Sequence, residues 1–400
     1  MNEPIYITGA GIVCAIGLNQ AEVLDALLKQ QSGIGPVRHL QTSRREFPVG
    51  EVALSDEELR ARLGIPEGEP TTRTSLLGRL ALQEAVDDAG LCPEELAEAA
   101  FVSGTTVGGM DKSEQYYLDF LANDSRNAYI ATHDCGSCTE MIAAQAGSFA
   151  LVTTPSTACS SAANAIILAA NLIRSGVVER AIAGGAECLS KFHLNGFNTL
   201  MILDKEPCRP FDRTRAGLNL GEGAAYVVLE SARSAESRRR TPLCRLSGYG
   251  NACDAFHQTA SSPDGEGAFR AMEQALHEAG LTPAEIDYIN AHGTGTSNND
   301  ASESAAVRRL FGAQLPPLSS TKSFTGHTTS ASGSVELVIS LLALRHQFLP
   351  VNLHWAEADE ATVDPVTAPQ PPRPIRHLLC NAFGFGGNDS SLLISRYDER

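Results

Sequence analysis

The sequence predicts an α/β fold made of two duplicated halves. Three observations carry this expectation. Short, nearly continuous apolar segments run into glycine turns, as strands buried on both faces do. Apolar helices alternate with these segments. One helix-turn pattern also appears twice at a fixed spacing.

Taken in chain order, Ile5-Tyr6-Ile7-Thr8-Gly9-Ala10-Gly11 reads as a buried strand entering a glycine turn. Gly9, Gly11 and Gly17 do not form GxGxxG, so this is not a dinucleotide-binding start. Residues 71–90 read as an amphipathic helix ended near Gly90. Residues 101–109 read as a strand and glycine turn, and 110–150 as irregular chain covering a neighbouring surface. The strand-type stretch 150–154 meets a turn at Pro155-Ser156, and a small-residue helix follows over 161–175. Buried strands are expected at 181–187 and 224–230. Residues 231–241, with Arg238-Arg239-Arg240, read as a solvated connector.

The pattern then recurs. Ala81, Ala85, Ala89, Gly90, Leu91, Pro93 and Glu95 match Ala271, Ala275, Ala279, Gly280, Leu281, Pro283 and Glu285, all at an offset of 190. With one residue of slippage, Ser103-Gly104-Thr105 aligns with His292-Gly293-Thr294. An internal duplication explains this better than chance likeness of two helices. It predicts a first half over 1–240 and a second over 241–400. Equivalent loops of the two halves would meet at one central site.

Bulk properties narrow the function. Four hundred residues exceed one ordinary core, and 43% hydrophobic with 20% charged residues is globular. The net charge of −16 argues against a nucleic-acid binder, which needs a basic face. Ten irregularly spaced cysteines fit a reducing compartment. Cys135-Gly136-Ser137-Cys138 has no second pair and reads as a loop, not a zinc or redox site. Met1-Asn2-Glu3-Pro4-Ile5-Tyr6 lacks a secretory leader's basic and apolar regions, and no apolar run nears the ~20 residues of a membrane span. A soluble, cytoplasmic protein is expected.

Four motifs carry chemistry. In Thr157-Ala158-Cys159-Ser160-Ser161-Ala162-Ala163, Cys159 lies between a strand turn and a helix start. Unpaired N–H groups and the helix dipole there favour thiolate. Most free cysteines are simply buried, so this residue alone is not decisive. Asn290-Ala291-His292-Gly293-Thr294-Gly295-Thr296 puts a histidine at a strand end among glycines and threonines. Thr321-Lys322-Ser323-Phe324-Thr325-Gly326-His327 is a second such site, and the helix after it echoes the approach to Cys159. Either histidine alone is as readily structural as catalytic. On corresponding loops of a duplicated fold, with Cys159, the joint reading is catalytic. Cys380-Asn381-Ala382-Phe383-Gly384-Phe385-Gly386-Gly387-Asn388-Asp389 is a glycine loop in which an aromatic ring can swing.

In this order and spacing, these motifs closely resemble the elongating β-ketoacyl-acyl-carrier-protein synthases (condensing enzymes I and II), a group that includes the polyketide ketosynthases. The resemblance spans essentially the whole chain, including Ala183-Gly184-Gly185-Ala186-Glu187, Arg209-Pro210-Phe211-Asp212 and Gly221-Glu222-Gly223-Ala224. It implies the thiolase fold: two duplicated halves in five αβαβα layers, usually dimeric. It implies an acyltransferase whose Cys159 takes an acyl chain from acyl carrier protein. His292 and His327 would bond the malonyl thioester oxygen during decarboxylation. The backbone N–H groups of Cys159 and Phe385 would form the oxyanion hole. Lys322 would order the site, with Glu336 as its charged companion, while Asp300 and Glu303 hold the histidine loop. Thr294, Thr296 and Gly386 would meet the phosphopantetheine arm, Phe385 would gate it, and Val107 would limit acyl depth. Arg73, Arg79 and Lys205 are candidates for docking the acidic carrier protein. No metal or organic cofactor is implied, because the arm arrives with the substrate.

The partner would be a second copy or a chain-length-factor-like subunit. A thiolase would place its second cysteine directly against the glycine motif, whereas Cys380 lies four residues before Gly384. Initiating synthases carry asparagine where His327 stands, and chain-length factors lack the active cysteine. Three segments depart from the family pattern: Gly387-Asn388-Asp389, Leu218-Asn219-Leu220 and Thr328-Thr329-Ser330-Ala331-Ser332. The first, with Asn299-Asp300, is similar to synthases of aryl-polyene pathways.

Overall fold

Ten strands form one mixed sheet in the computed structural model, which describes residues 3–371 and 373–398. Met1 and Asn2 of the opening segment lie outside the described residues. The first five strands are β1 (Ile5–Cys14), β2 (Ala100–Gly104), β3 (Leu151–Thr153), β4 (Arg180–Glu187) and β5 (Gly223–Ser231). The next five are β6 (Cys244–Cys253), β7 (Tyr288–Asn290), β8 (Leu318–Ser319), β9 (His377–Gly384) and β10 (Asn388–Arg396). From the central seam the order runs β1-β5-β4-β2-β3 one way and β6-β10-β9-β7-β8 the other. The two runs are the same path traced twice. They join where β1 pairs antiparallel with β6 over Ile5–Ile7 alone.

Five of the α-helices pack around this sheet: α1 (Arg73–Ala89), α2 (Ser161–Arg174), α3 (Glu266–Ala279), α4 (Ser297–Phe311) and α5 (Ser332–His346). α2 and α5 lie between the two halves of the sheet, and their side chains share one core with Ile7, Ile12, Val227, Leu378 and Leu392. α1 covers the outer face of the first half, against Val13, Ile182 and Tyr226. α3 covers the outer face of the second, against Ile289, Leu379 and Leu393. The result is five layers, αβαβα. Alternation along a strand assigns each side chain to its layer, so Ile12 faces the central helices and Val13 faces α1.

Packing explains why the alanine pattern is written twice. The alanine face of α1 lies directly on Gly9 and Gly11 of β1. A Cβ on Gly11 would sit 2.1 Å from the Ala81 carbonyl oxygen, and one on Gly9 2.6 Å from the Ala89 Cβ. In the second half, a Cβ on Gly250 or Gly248 would sit 2.1 Å from the carbonyl oxygens of Ala271 and Ala275. Small residues on both surfaces bring helix and strand backbones together. Each helix ends on a left-handed glycine, Gly90 (φ 64°) and Gly280 (φ 68°). The central helices meet as closely, with Gly333 against Ala163.

Two segments differ from expectation. Residues 110–150 are ordered as helices Met110–Ala122 and Cys135–Ala146 with a 3-10 turn at Asn127–Thr132. Helix Met110–Ala122 buries no residue fully, and its Tyr117, Leu118 and Leu121 are exposed. Cys135 and Cys138 accordingly sit on the first turn of a helix, not on a loop. Residues 231–241 are no solvated connector. Ala232–Ser237 is helical, and the Arg238 guanidinium reaches back to Glu230 and Glu95. Only Arg239 of the three arginines is exposed.

Candidate active site

The nucleophile candidate sits on a strained elbow. Ala158 is held at φ +55°, Cys159 follows, and α2 begins at Ser161. Duplication repeats the elbow: Thr329, at φ +47°, precedes α5 by the same three residues. The two central helices therefore aim their N-termini, and the loops before them, at one point. There the Cys159 sulfur lies 3.1 Å from His327 Nε2. The His292 and His327 rings are 5.3 Å apart, edge to face.

His292 is oriented by charge. Lys322 Nζ lies 3.2 Å from His292 Nδ1 and 2.5 Å from Glu336 Oε1. An ammonium group can only donate, so Nδ1 accepts and the single proton of the neutral ring lies on Nε2. Burial and the Lys322 charge hold both histidines well below the usual imidazole range. Burial also pushes Glu336 up to about 7, against the opposing pull of Lys322.

Acidic residues hold the loop after His292. Glu303 accepts from the backbone N–H of His292 (2.9 Å) and Gly293 (2.8 Å). Asp300 accepts from Gly295 N–H and from Phe211 N–H. His327 is clamped through its backbone: its N–H donates to Asn219 O (2.7 Å), and its carbonyl accepts from Gly221 N–H (2.9 Å). The Asn219 amide is itself tied to Cys208 N–H and to the Asp204 and Glu206 carbonyls. The unusual Leu218-Asn219-Leu220 triplet is thus the strap behind His327, a role nothing in its own sequence announced.

Cys159, His292 and His327 line a cavity of about 200 Å3, together with Phe385, Thr294 and Thr296. The two threonine hydroxyls lie 2.8 Å apart. Phe385 stacks on Phe197 at 5.6 Å, and Phe197, missed in sequence, lines the cavity beside the glycine loop. Gly386, at φ +85°, also lines the cavity, but its N–H is taken by the Gln258 carbonyl (2.8 Å). Val107 is buried, its N–H directed at Glu187, and it does not line the cavity. Cys380 is buried in the central core and does not line the cavity.

Three sequence expectations are corrected. Helix position was expected to favour thiolate, yet burial pushes the Cys159 thiol up to about 12. The Lys322 charge and the Phe385 N–H pull the other way and lose, because the sulfur is shut away from water. The resting group is therefore a thiol. Arg73 and Arg79 are not docking residues. Arg73 is buried between Glu222 (2.6 Å) and Asp56 (2.9 Å), and Arg79 is buried against Glu69. Lys205 alone of the three is exposed, over the Phe47 ring.

The Gly-Asn-Asp departure is also structural. Asn388 Oδ1 accepts from Ser160, Asn164 and Asn251, joining the elbow to β10. Asp389 is buried, and this burial, with the neighbouring Asp254 and Glu303, pushes its carboxyl up to about 8. An unfolded aspartate titrates near 3.9. Folding therefore takes up a proton here between about pH 4 and 8, and stability falls as pH rises through that window. Asp389→Asn should flatten part of this loss, by a few kcal/mol at pH 8. Thermal melts at pH 5 and 8 check it; equal pH slopes in both proteins would refute the placement.

Together these features define a class: a thiolase-fold enzyme with one cysteine and two histidines at the centre of a duplicated sheet. The Beta-ketoacyl synthase N-terminal domain matches residues 2–235 and the Beta-ketoacyl synthase C-terminal domain residues 243–356. The chain belongs to the β-ketoacyl synthase family. It is 33% identical to nodulation protein E of Rhizobium meliloti, over 98% of this chain and 99% of that one. It is 31% identical to 3-oxoacyl-[acyl-carrier-protein] synthase 2 of Synechocystis sp., over 98% of both. Among solved structures, the ishigamide ketosynthase/chain length factor superposes with a TM-score of 0.92 at 30% identity, covering 100% of both chains. No helix among the described residues is long and apolar enough to cross a membrane.

Proposed function

We propose that this chain is a β-ketoacyl-acyl-carrier-protein synthase that joins a Cys159-bound acyl chain to malonyl-carrier protein with loss of CO2. The carrying observation is the convergence of Cys159 with two neutral histidines, 3.1 Å and one ring away, in one cavity. Cys159 attacks the carrier thioester, splitting one difficult step into two. Its own N–H and that of Phe385 hold the tetrahedral oxyanion. His292, fixed by Lys322 as an Nε2–H donor, and His327 bond the malonyl thioester oxygen. Their donors stabilise the enolate left by CO2. The enolate attacks the acyl carbonyl and releases the extended product. Every group comes from the chain or from the phosphopantetheine arm, so no metal or cofactor enters the scheme. Thr294, Thr296 and Gly386 line the arm's route, Phe385 gates it, and Val107 closes the acyl end.

The enzyme acts in the cytoplasm, on acyl carrier protein, and Lys205 is the remaining candidate for carrier docking. A second reading makes the chain the catalytic half of a heterodimer with a chain-length-factor-like subunit. The close superposition on a ketosynthase solved with such a factor favours it. The pathway is specialised, of polyene or polyketide type, and not housekeeping elongation. Turnover with malonyl-carrier protein and matched saturated and polyenoyl acyl-carrier proteins tests these points. Extension of polyenoyl chains is expected. Extension of saturated chains alone would refute the pathway, and turnover of neither without a co-purified subunit would favour the heterodimer.

A further inference from the structure

The duplication gives Cys159 a counterpart in the second half. Ser330 stands two residues before α5, as Cys159 stands two residues before α2, each just after a left-handed residue, Thr329 or Ala158. Ser330 is wholly buried, and its hydroxyl donates to the Glu187 carboxyl at 2.5 Å. Glu187, also wholly buried at the end of β4, accepts from the turn after β2 as well. Thr105 Oγ1 donates at 2.7 Å, Thr106 N–H at 2.9 Å and Val107 N–H at 3.3 Å, and the Thr106 hydroxyl joins them. The strand ends press against the elbow without slack. A Cβ on Gly104 would sit 2.6 Å from the Ser161 carbonyl carbon, and one on Gly185 2.9 Å from the Ala162 Cβ. One carboxyl therefore ties the Thr105–Val107 turn of the first half to the elbow of the second.

The same duplication places this turn relative to the thiol. Ser103-Gly104-Thr105 is the counterpart of His292-Gly293-Thr294, and Thr294 lines the cavity in front of Cys159. The Thr105 turn accordingly lies across the paired elbows, on the far side of Cys159. Glu187 is near enough there for its charge to oppose the thiolate. An acyl chain on the sulfur, delivered along Thr294 and Thr296, extends away from that route and toward the turn. We propose that Ser330 is a positioning residue that sets the length of acyl chain the enzyme accepts: through Glu187 it holds the Thr105–Val107 turn, so that Val107 stands as a fixed stop. This rests on the condensing function proposed above. A stop carried on a turn is only as firm as the turn's anchor. Among the described residues, the other donors to Glu187 belong to the turn and travel with it, whereas Ser330 fixes the carboxyl to the elbow. Alanine at 330 removes that donor from a buried acceptor and frees the carboxyl, with the turn, to shift outward. The polar segment Thr328-Thr329-Ser330-Ala331-Ser332, which departs from the family pattern, thus gains a use.

The test compares wild type with Ser330→Ala, Thr106→Val and Thr106→Ser. N-alkyl iodoacetamides from ethyl to hexadecyl are followed by their rate of addition to the peptide carrying Cys159. Single-turnover acylation by acyl-carrier proteins of matched lengths is followed alongside. Wild-type rates should fall sharply beyond one chain length. In Ser330→Ala the first excluded length should gain at least ~10-fold, the scale on which a pocket discriminates single methylenes, while the shortest probes stay within about twofold. Thr106→Val should move the limit the same way, and Thr106→Ser, which keeps the hydroxyl, should leave it in place. A limit unchanged in both Ser330→Ala and Thr106→Val, a uniform slowing at every length, or a wild type with no limit would each overturn the proposal. If Ser330→Ala does not fold by circular dichroism, the two Thr106 variants decide. A wild type that is alkylated but takes no acyl group from any carrier would count against the condensing function instead, and the alkylation series would still judge Ser330.

Discussion

Cys159→Ala is expected to reduce condensation by at least ~10^4-fold, because removal of an attacking atom leaves no alternative path to the acyl intermediate. Stability should change by only about 1 kcal/mol, since one sulfur is lost from a buried elbow whose backbone is fixed by other residues. Ala158, Ser160 and the Asn388 amide keep their places without the thiol. Cys159→Gln should separate the half-reactions. Its side-chain carbonyl can occupy the oxyanion position of an acyl thioester, while His292 and His327 remain intact. Malonyl-carrier protein should then lose CO2 without being condensed. Product analysis and CO2 release check both variants, and full condensation in the alanine variant would overturn the assignment of the nucleophile.

Lys322→Met should fail in two separable ways. Lys322 and Glu336 are both almost wholly buried and paired at 2.5 Å. Removing the cation leaves the Glu336 carboxyl buried without its partner; burial already pushes it up to about 7, so it takes a proton, and the lost hydrogen bond costs about 1–3 kcal/mol. It also removes the donor that fixes the His292 tautomer, so decarboxylation should fall by ~10^2-fold or more. Adding Glu336→Leu should restore much of the stability, because a buried pair can be replaced by apolar residues at little cost. It should not restore decarboxylation. A double variant with recovered activity would show that Lys322 acts only as a structural ion-pair partner.

What could be read in the sequence and what could not divide along a physical line. Local signals were legible. The glycine-flanked histidines and the turn before α2 marked the site, because a chain that must turn tightly beside a reacting group advertises it in glycine and small residues. The twice-written alanine face marked the duplication, because it is the imprint of Gly9, Gly11, Gly248 and Gly250 pressed against two helices. Long-range partners were not legible. Nothing in Arg73 announces Glu222, and nothing in Asn219 announces the His327 backbone it holds. The state of Cys159 was misjudged for the same reason. Helix position is local and favours the thiolate, whereas burial is set by the whole fold and wins.

The most direct measurement is the intact mass of the purified protein after incubation with a panel of saturated and polyenoyl acyl-carrier proteins. The predicted result is a single acyl increment that maps to the peptide carrying Cys159, is absent from Cys159→Ala, and disappears when malonyl-carrier protein is added. An acyl increment on another residue, or one retained by Cys159→Ala, would contradict the account.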